Sequence, residues 1–216
     1  MMSKKNKIDF KRQDSKLYTG KVERFDLIKV PPLNYLMIDG DGGPVGESYP
    51  PAIAALYGLS YGLKFFSKIE LEKDYVVGPL EGLWWADDMA TFVTREKSAW
   101  KWTMMIRQPD WLHGEHLDQV LETSIAKNGD KSDAPTDEAT LRSVRLETFD
   151  EGDCVQVLHV GSYDDEGPIL AQMHNEYIPQ NKMKMIGKHH EIYLNDPRKV
   201  TPDKLKTILR QPVHLQ

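Results

Sequence analysis

The chain has 216 residues, with 28 Lys and Arg against 33 Asp and Glu, a formal net charge of -5 and a single cysteine, Cys154. An acidic balance argues against an extended phosphate-binding surface, which needs a concentrated excess of Lys and Arg, although it leaves room for a local basic patch. One cysteine rules out an intrachain disulfide and a multi-cysteine zinc site. The 40% hydrophobic and 28% charged residues are those of a soluble globular protein. Met1 to Lys16 lacks the apolar run of a signal peptide, and no later stretch approaches the ~20 apolar residues that span a bilayer. The reading is a cytoplasmic protein with no membrane contact.

Residues 1–30 read as a polar lead-in, with Phe10, Leu17, Tyr18, Phe25 and Leu27 as docking points on a core that occupies residues 31–213. Leu33 to Ile38 alternates in a way that leaves both faces apolar and predicts a buried strand. The loop Asp39 to Pro51 turns on four glycines and three prolines. From Ala52 to Lys68, Ile53, Leu56, Leu59, Leu63 and Phe66 recur at helical spacing behind Pro50 and Pro51, which suit a helix start. Tyr57 and Tyr61 share an adjoining face. Tyr75 to Trp85 and Ala99 to Arg107 read as two strands. His116 to Lys127 has the stripe of a one-sided helix and stops at Asn128-Gly129. The polar residues 129–140 then read as a connector between halves 31–128 and 141–213, mobile around Asp130 to Glu138.

The second half repeats this order. Val155 to Val160 reads as a strand, Gly161 to Pro168 as a Gly-rich turn and Ile169 to Tyr177 as a helix. His189 to Leu194 and Ile208 to Val213 read as strands, with a short helix at Thr201-Pro202 capped by the threonine. Two strand-helix-strand-strand units give an α+β fold with pseudo-twofold symmetry. Its antiparallel-rich sheet carries helices on one side and a groove between the copies. Pro79-Leu80-Glu81-Gly82-Leu83-Trp84 sits where His189-His190-Glu191-Ile192-Tyr193-Leu194 sits, so each half offers a carboxylate, Glu81 and Glu191, to that groove.

On the second of these strands, His189, Glu191 and Tyr193 share one face while His190, Ile192 and Leu194 share the other. A carboxylate in mid-strand costs several kcal/mol to bury unless compensated, so Glu191 either faces solvent or serves a purpose. Trp84 and Trp85 are adjacent and diverge: one fills core, leaving the other to line a cavity. Trp100 and Trp102 alternate with Lys101 and Thr103, either as a core stripe or as stacking surfaces. No metal or cofactor site is read. His113-Gly114-Glu115-His116 lacks a zinc spacing, Gly40-Asp41-Gly42-Gly43 lacks the Lys-Ser/Thr of a phosphate loop, and no serine elbow occurs.

His189 to Pro197, followed by Arg198-Lys199-Val200-Thr201-Pro202-Asp203-Lys204-Leu205, resembles the closing signature of the GyrI-like small-molecule-binding family. Pro79 to Trp84, Trp102 to Pro109, Phe149 to Gly152 and His159 to Glu166 are similar to its long, stand-alone branch, so the likeness runs from about Asp9 to Pro212. One departure is Gly43-Pro44-Val45, where that branch often continues its Asp-Gly-x-Gly turn with Pro-Asn. The resemblance implies that Glu191 faces a hydrophobic ligand pocket. Members similar to this branch hydrolyse the cyclopropane ring of DNA-alkylating cyclopropylpyrroloindole drugs, a protective detoxification that confers drug resistance. It therefore implies Glu191 as base, with Glu81 orienting. Tyr163, His159, His189 or Tyr193 would be proton donor, and Trp84, Trp85, Tyr57 and Tyr61 would stack on a bulky aromatic substrate. A binding module that sequesters flat cationic drugs would use the same residues, and a gyrase-modulating protein is a third possibility. Only about two dozen polar residues precede the first core strand, too few for a helix-turn-helix unit, so direct nucleic-acid binding is not expected.

Overall fold

A computed structural model describes residues 7–44, 46–88, 90–128 and 134–215. Nine strands form one antiparallel sheet: β1 (Asp26–Val30), β2 (Leu33–Asp41), β3 (Glu81–Trp85), β4 (Lys101–Gln108), β5 (Arg145–Phe149), β6 (Gly152–Val160), β7 (Met183–Met185), β8 (His189–Tyr193) and β9 (Lys206–Leu215). Their spatial order is β1-β6-β9-β8-β3-β4-β2-β5, with β7 beside β9. The repeated units are visible in it, since β2-β4-β3 mirrors β6-β9-β8 about the central β3/β8 pair.

The ends of this order are joined by sequence. Val30 pairs with Gly152 and Leu33 with Phe149, so one antiparallel register continues from β1/β6 into β2/β5. Only Pro31-Pro32 and Asp150-Glu151 interrupt it. Proline has no N–H to give a ladder, which accounts for the break. Three residues span at most ~10 Å, so the sheet has to curl until its two edges meet at these interruptions.

The helix Tyr49–Ile69 starts on its two prolines and buries Ala52, Ala55, Leu56, Leu59 and Leu63 over β2 and β4. The helix Gly114–Asn128 packs against it. In the second half, Gly167–Gln172 runs through a π turn, Met173–Tyr177, into Ile178–Gln180. Met173 and Ile178 join Val155, Val157, Leu209 and Val213 in a second core. Both helical layers lie on the same face of the sheet, one over each half, and leave β3 and β8 between them.

Several expectations need correction. The stretch from Tyr75 is strand only from Glu81; Tyr75 itself makes a bridge to Ile8. Strands β1, β5 and β7 were not foreseen. Thr201 precedes a 3₁₀ turn but makes no side-chain cap. Phe10, Leu17 and Tyr18 are buried as expected, whereas Leu27 is 48% exposed: it pairs with Val155 on the helix-covered face, but on the edge strand β1. Of the connector, residues 129–133 lie outside the described residues. Its later part forms the short helix Glu138–Arg142, capped by Asp137, whose carboxylate accepts from the Thr140 N–H at 2.7 Å.

Candidate functional site

The register of the central pair decides what shares a face. Gly82 lies opposite Glu191 and Glu81 opposite Ile192. Directly paired residues point the same way, so Glu191 shares the helix-covered face with His189, Tyr193, Gly82 and Trp84, while Glu81 points to the other face with His190. The expectation that Glu81 and Glu191 line one groove is therefore overturned. Both halves carry their helix on the same face, so true counterparts must share a face, and matching the two glutamates is one residue out of register.

Glu81 belongs to a buried network on the concave face. Tyr18 and Tyr35 donate to its two oxygens at 3.4 Å each, and His190 Nε2 lies 3.1 Å away without good hydrogen-bond direction. His190 Nδ1 meets Glu151 Oε1 at 2.9 Å, and Arg210 donates to Glu151 Oε2 at 3.0 Å and to the Leu17 carbonyl at 2.6 Å. Burial opposes charge on Glu151, but His190 and Arg210 outweigh it and hold its carboxyl down at about 2. Burial likewise opposes charge on His190, and Glu151 and Glu81 raise its pKa above the usual value. These groups tie the lead-in to the sheet.

On the opposite face, the Trp84 indole N–H donates to Tyr193 Oη at 2.9 Å, and the Tyr193 hydroxyl donates to Glu191 Oε2 at 2.8 Å. Glu191 Oε1 lies 3.6 Å from His189 Nε2. Tyr49 stacks on Trp84 at 6.4 Å, Trp100 meets Trp84 edge-on at 6.0 Å, and Tyr163 meets Tyr193 edge-on at 5.6 Å. A second carboxyl, Glu166, sits at the start of the overlying helix and is only 4% exposed. Burial, then the nearby charge of Glu191, pushes its pKa up to about 10, and the Thr207 hydroxyl beside it offsets only part of that. Burial followed by Glu166 and Glu191 raises Tyr163 to about 12. Burial and Glu191 raise Tyr193 and Tyr49 further. His174, 6.0 Å from His189, is lowered to about 4 by burial and by that neighbour.

Among the described residues, Glu166 Oε1, both ring nitrogens of His189, His174 Nε2 and Thr207 Oγ1 are buried here without well-directed hydrogen-bond partners. Buried polar groups are nearly always satisfied, so the hydrogen-bonding capacity left open around Glu191 sets this place apart from the rest of the sheet. The arrangement sets the Glu191 side chain near the Glu166 carboxyl and two phenols, within aromatic walls.

Most other predicted residues are placed apart, Trp100 excepted through its edge-on contact with Trp84. Trp85 lies on the Glu81 face with Lys188 Nζ 3.2 Å from its ring centroid. Trp102 is fully buried, donates to the Asp41 carbonyl at 3.3 Å and meets Tyr49 edge-on. Trp100 donates to the Thr91 carbonyl at 3.2 Å. His159 is tied to the Ser162 carbonyl at 3.0 Å within its own turn, so it is not brought to Glu191. Tyr57 and Tyr61 stack at 6.5 Å along the long helix, with Tyr61 48% exposed. Two cavities of about 340 Å³ open elsewhere, one beside Trp102, Glu47 and Asp137, the other over Met37, Leu83 and Lys188. Neither of these two is lined by Trp84 or Trp85, which stand on opposite faces of β3. The Glu191 side chain is 15% exposed and stays partly open between its aromatic neighbours. Glu166, Tyr49 and His174 escaped sequence reasoning. Glu166 falls within Gly161 to Pro168, read as a Gly-rich turn, where nothing local shows that its side chain is folded in under the helix.

Duplicated units, helices on one face and an acidic, aromatic-walled centre define a small-molecule-binding class of α+β domain. The chain belongs to the GyrI-like small molecule binding domain family, whose model matches residues 24–214. An uncharacterized conserved protein from Listeria innocua is 39% identical over 96% of this chain and 100% of its own, with a TM-score of 0.86. A hydrolase from Listeria innocua, also 39% identical over 96% of this chain and 100% of its own, has a TM-score of 0.81. The C-terminal domain of EcmrR covers 89% of this chain and 98% of its own at 11% identity and a TM-score of 0.56, which shows the fold alone. No curated protein matches the chain significantly. Among the described residues no helix is long and apolar enough to cross a membrane.

Proposed function

We propose that the protein hydrolyses a strained ring in a bulky, flat aromatic molecule, a cyclopropane of the cyclopropylpyrroloindole kind, at the Glu191 site. The observation that carries this reading is the buried Glu166 carboxyl, held protonated by burial and by the nearby charge of Glu191. A carboxyl group kept neutral beside a second carboxyl group can supply an acid and a base in one site. Glu191 takes a proton from water as the water oxygen bonds to the cyclopropane carbon. The ring C–C bond breaks, its electron pair passes into the conjugated dienone, and the resulting phenolate takes a proton from Glu166 or Tyr163. Tyr193, anchored by Trp84, orients the Glu191 carboxylate. Trp84, Tyr49 and Tyr163 provide the flat walls. The hydrolase from Listeria innocua, similar over 96% of this chain, supports the reaction class.

Sequestration of a flat cation without turnover is the second reading, favoured by the lack, among the described residues, of any Lys or Arg paired with Glu191 and by the aromatic faces around it, each worth about 0.5–2 kcal/mol to a cation. Glu191→Gln separates the two. For the hydrolase, turnover of a neutral cyclopropane substrate falls ~100-fold or more while its affinity is little changed. For the sequestering module, affinity for a cationic aromatic falls and the cyclopropane compound is recovered intact from the native protein. Unchanged turnover and binding in the variant would defeat both.

A further inference from the structure

The cavity over Met37, Leu83 and Thr103 lies on the concave face, so the sheet itself separates it from Glu191. It exists because the sheet curls: Phe149 of β5 and Pro212 of β9, from distant places in the strand order, both line it. Its far wall is the turn 186–188. That turn is pinned by Ile186 N–H to the Pro212 carbonyl at 3.0 Å and by the Gln211 side chain to the Ile186 carbonyl at 2.8 Å. Gly187, at φ +62°, supplies the left-handed bend. The space is about 340 Å³ with a largely apolar floor, within the range of small-molecule sites.

The charges around it are unequally committed. Arg145 is paired with Asp39 at 3.0 Å and Glu147 at 2.7 Å, and Glu151 is held by His190 and Arg210. Asp150 is exposed at the rim, where water screens it. Lys188 alone among the lining cations has no carboxylate within ion-pair distance among the described residues. Its ammonium stands over the Trp85 ring, a contact that fixes the group without neutralising it. We infer that this cavity is a second binding site, for a flat apolar small molecule carrying one anionic group that pairs with Lys188.

Two fluorescent probes that differ only in the anionic group test this: anilinonaphthalene sulfonate and the uncharged phenylnaphthylamine. The sulfonate is expected to bind the native protein at one site, about tenfold or more tightly than its neutral counterpart. Lys188→Gln, a change at a partly exposed side chain, should bring the two probes to within about twofold, with the urea midpoint unmoved. Glu191→Gln should leave both titrations as they are. A sulfonate preference that survives Lys188→Gln overturns the proposal, as does sulfonate binding that is lost with Glu191→Gln, which would put the probe in the helix-covered site.

Discussion

Glu166 and Glu191 are close enough for the charge of one to oppose ionisation of the other, and that has a consequence for stability as well as for chemistry. In the unfolded chain Glu166 loses its proton near pH 4.3, whereas in the folded protein it keeps it up to about pH 10. The stability tied to the retained proton is therefore complete below the lower value and drains away as pH rises toward the upper one, at up to ~1.4 kcal/mol per pH unit. Glu166→Gln has no proton to lose. It should match the native protein near pH 4 and exceed it by ~1 kcal/mol or more at pH 8, read from urea unfolding at the two pH values. Equal stability at pH 8 would mean that Glu166 is ionised. Of these two carboxyl groups, only Glu191 was legible in the sequence. Strand alternation alone places it with His189 and Tyr193, whereas the nearness of Glu166 depends on how a helix start hangs over a strand about 25 residues later. The error over Glu81 has the same root, since a period of two makes a one-residue misalignment of the halves a change of face.

At the scale of elements, β3 is shaped by its glycine. A Cβ on Gly82 would come within 2.6 Å of Met104 Cε and 3.0 Å of Trp84 Nε1, so the indole lies where any side chain would push it. Gly82→Ala should displace Trp84, free Tyr193 and weaken ligand binding, besides costing ~1–3 kcal/mol of stability. Gly40→Ala, which would strike the Trp102 ring, should cost stability while leaving affinity alone. Titration of a flat aromatic ligand into both variants distinguishes them, and equal affinity in the Gly82 variant would remove Trp84 from the site. The long helix and the central strands could be read because their apolar patterns are strong and local. β5 could not, because Arg145, Glu147 and Thr148 read as loop when its pairing with β2 is unknown. The π turn at Met173–Tyr177 likewise has no local sequence signal.

The whole molecule depends on contacts that ignore the boundary between halves. β1 precedes β2 in sequence but pairs with β6, and β5 precedes β6 but pairs with β2. The lead-in adds the Arg210 contact to Leu17 and an ion pair from Arg107 to Asp14 at 2.7 Å. A chain beginning at Pro31 should therefore lose far more than a mobile tail would cost. Its urea transition should become broad and shift to lower concentration, and a sharp transition at the native midpoint would show that residues 1–30 are dispensable. The duplication was legible because the order of elements repeats. The exchange of strands was not, since neither β1 nor β5 could be seen.

That exchange also sets a timetable for synthesis. β2 is complete at Asp41, but the strand that covers its outer edge begins about a hundred residues later, at Arg145. At 5–20 residues per second, the ribosome takes roughly 5–20 s to deliver that partner. Through this interval the nascent first half carries an uncovered apolar strand edge, and β1 waits still longer for β6. The protein is thus committed to finishing its sheet only once nearly the whole chain has emerged, which makes the growing polypeptide, rather than the finished fold, the state most in need of a chaperone.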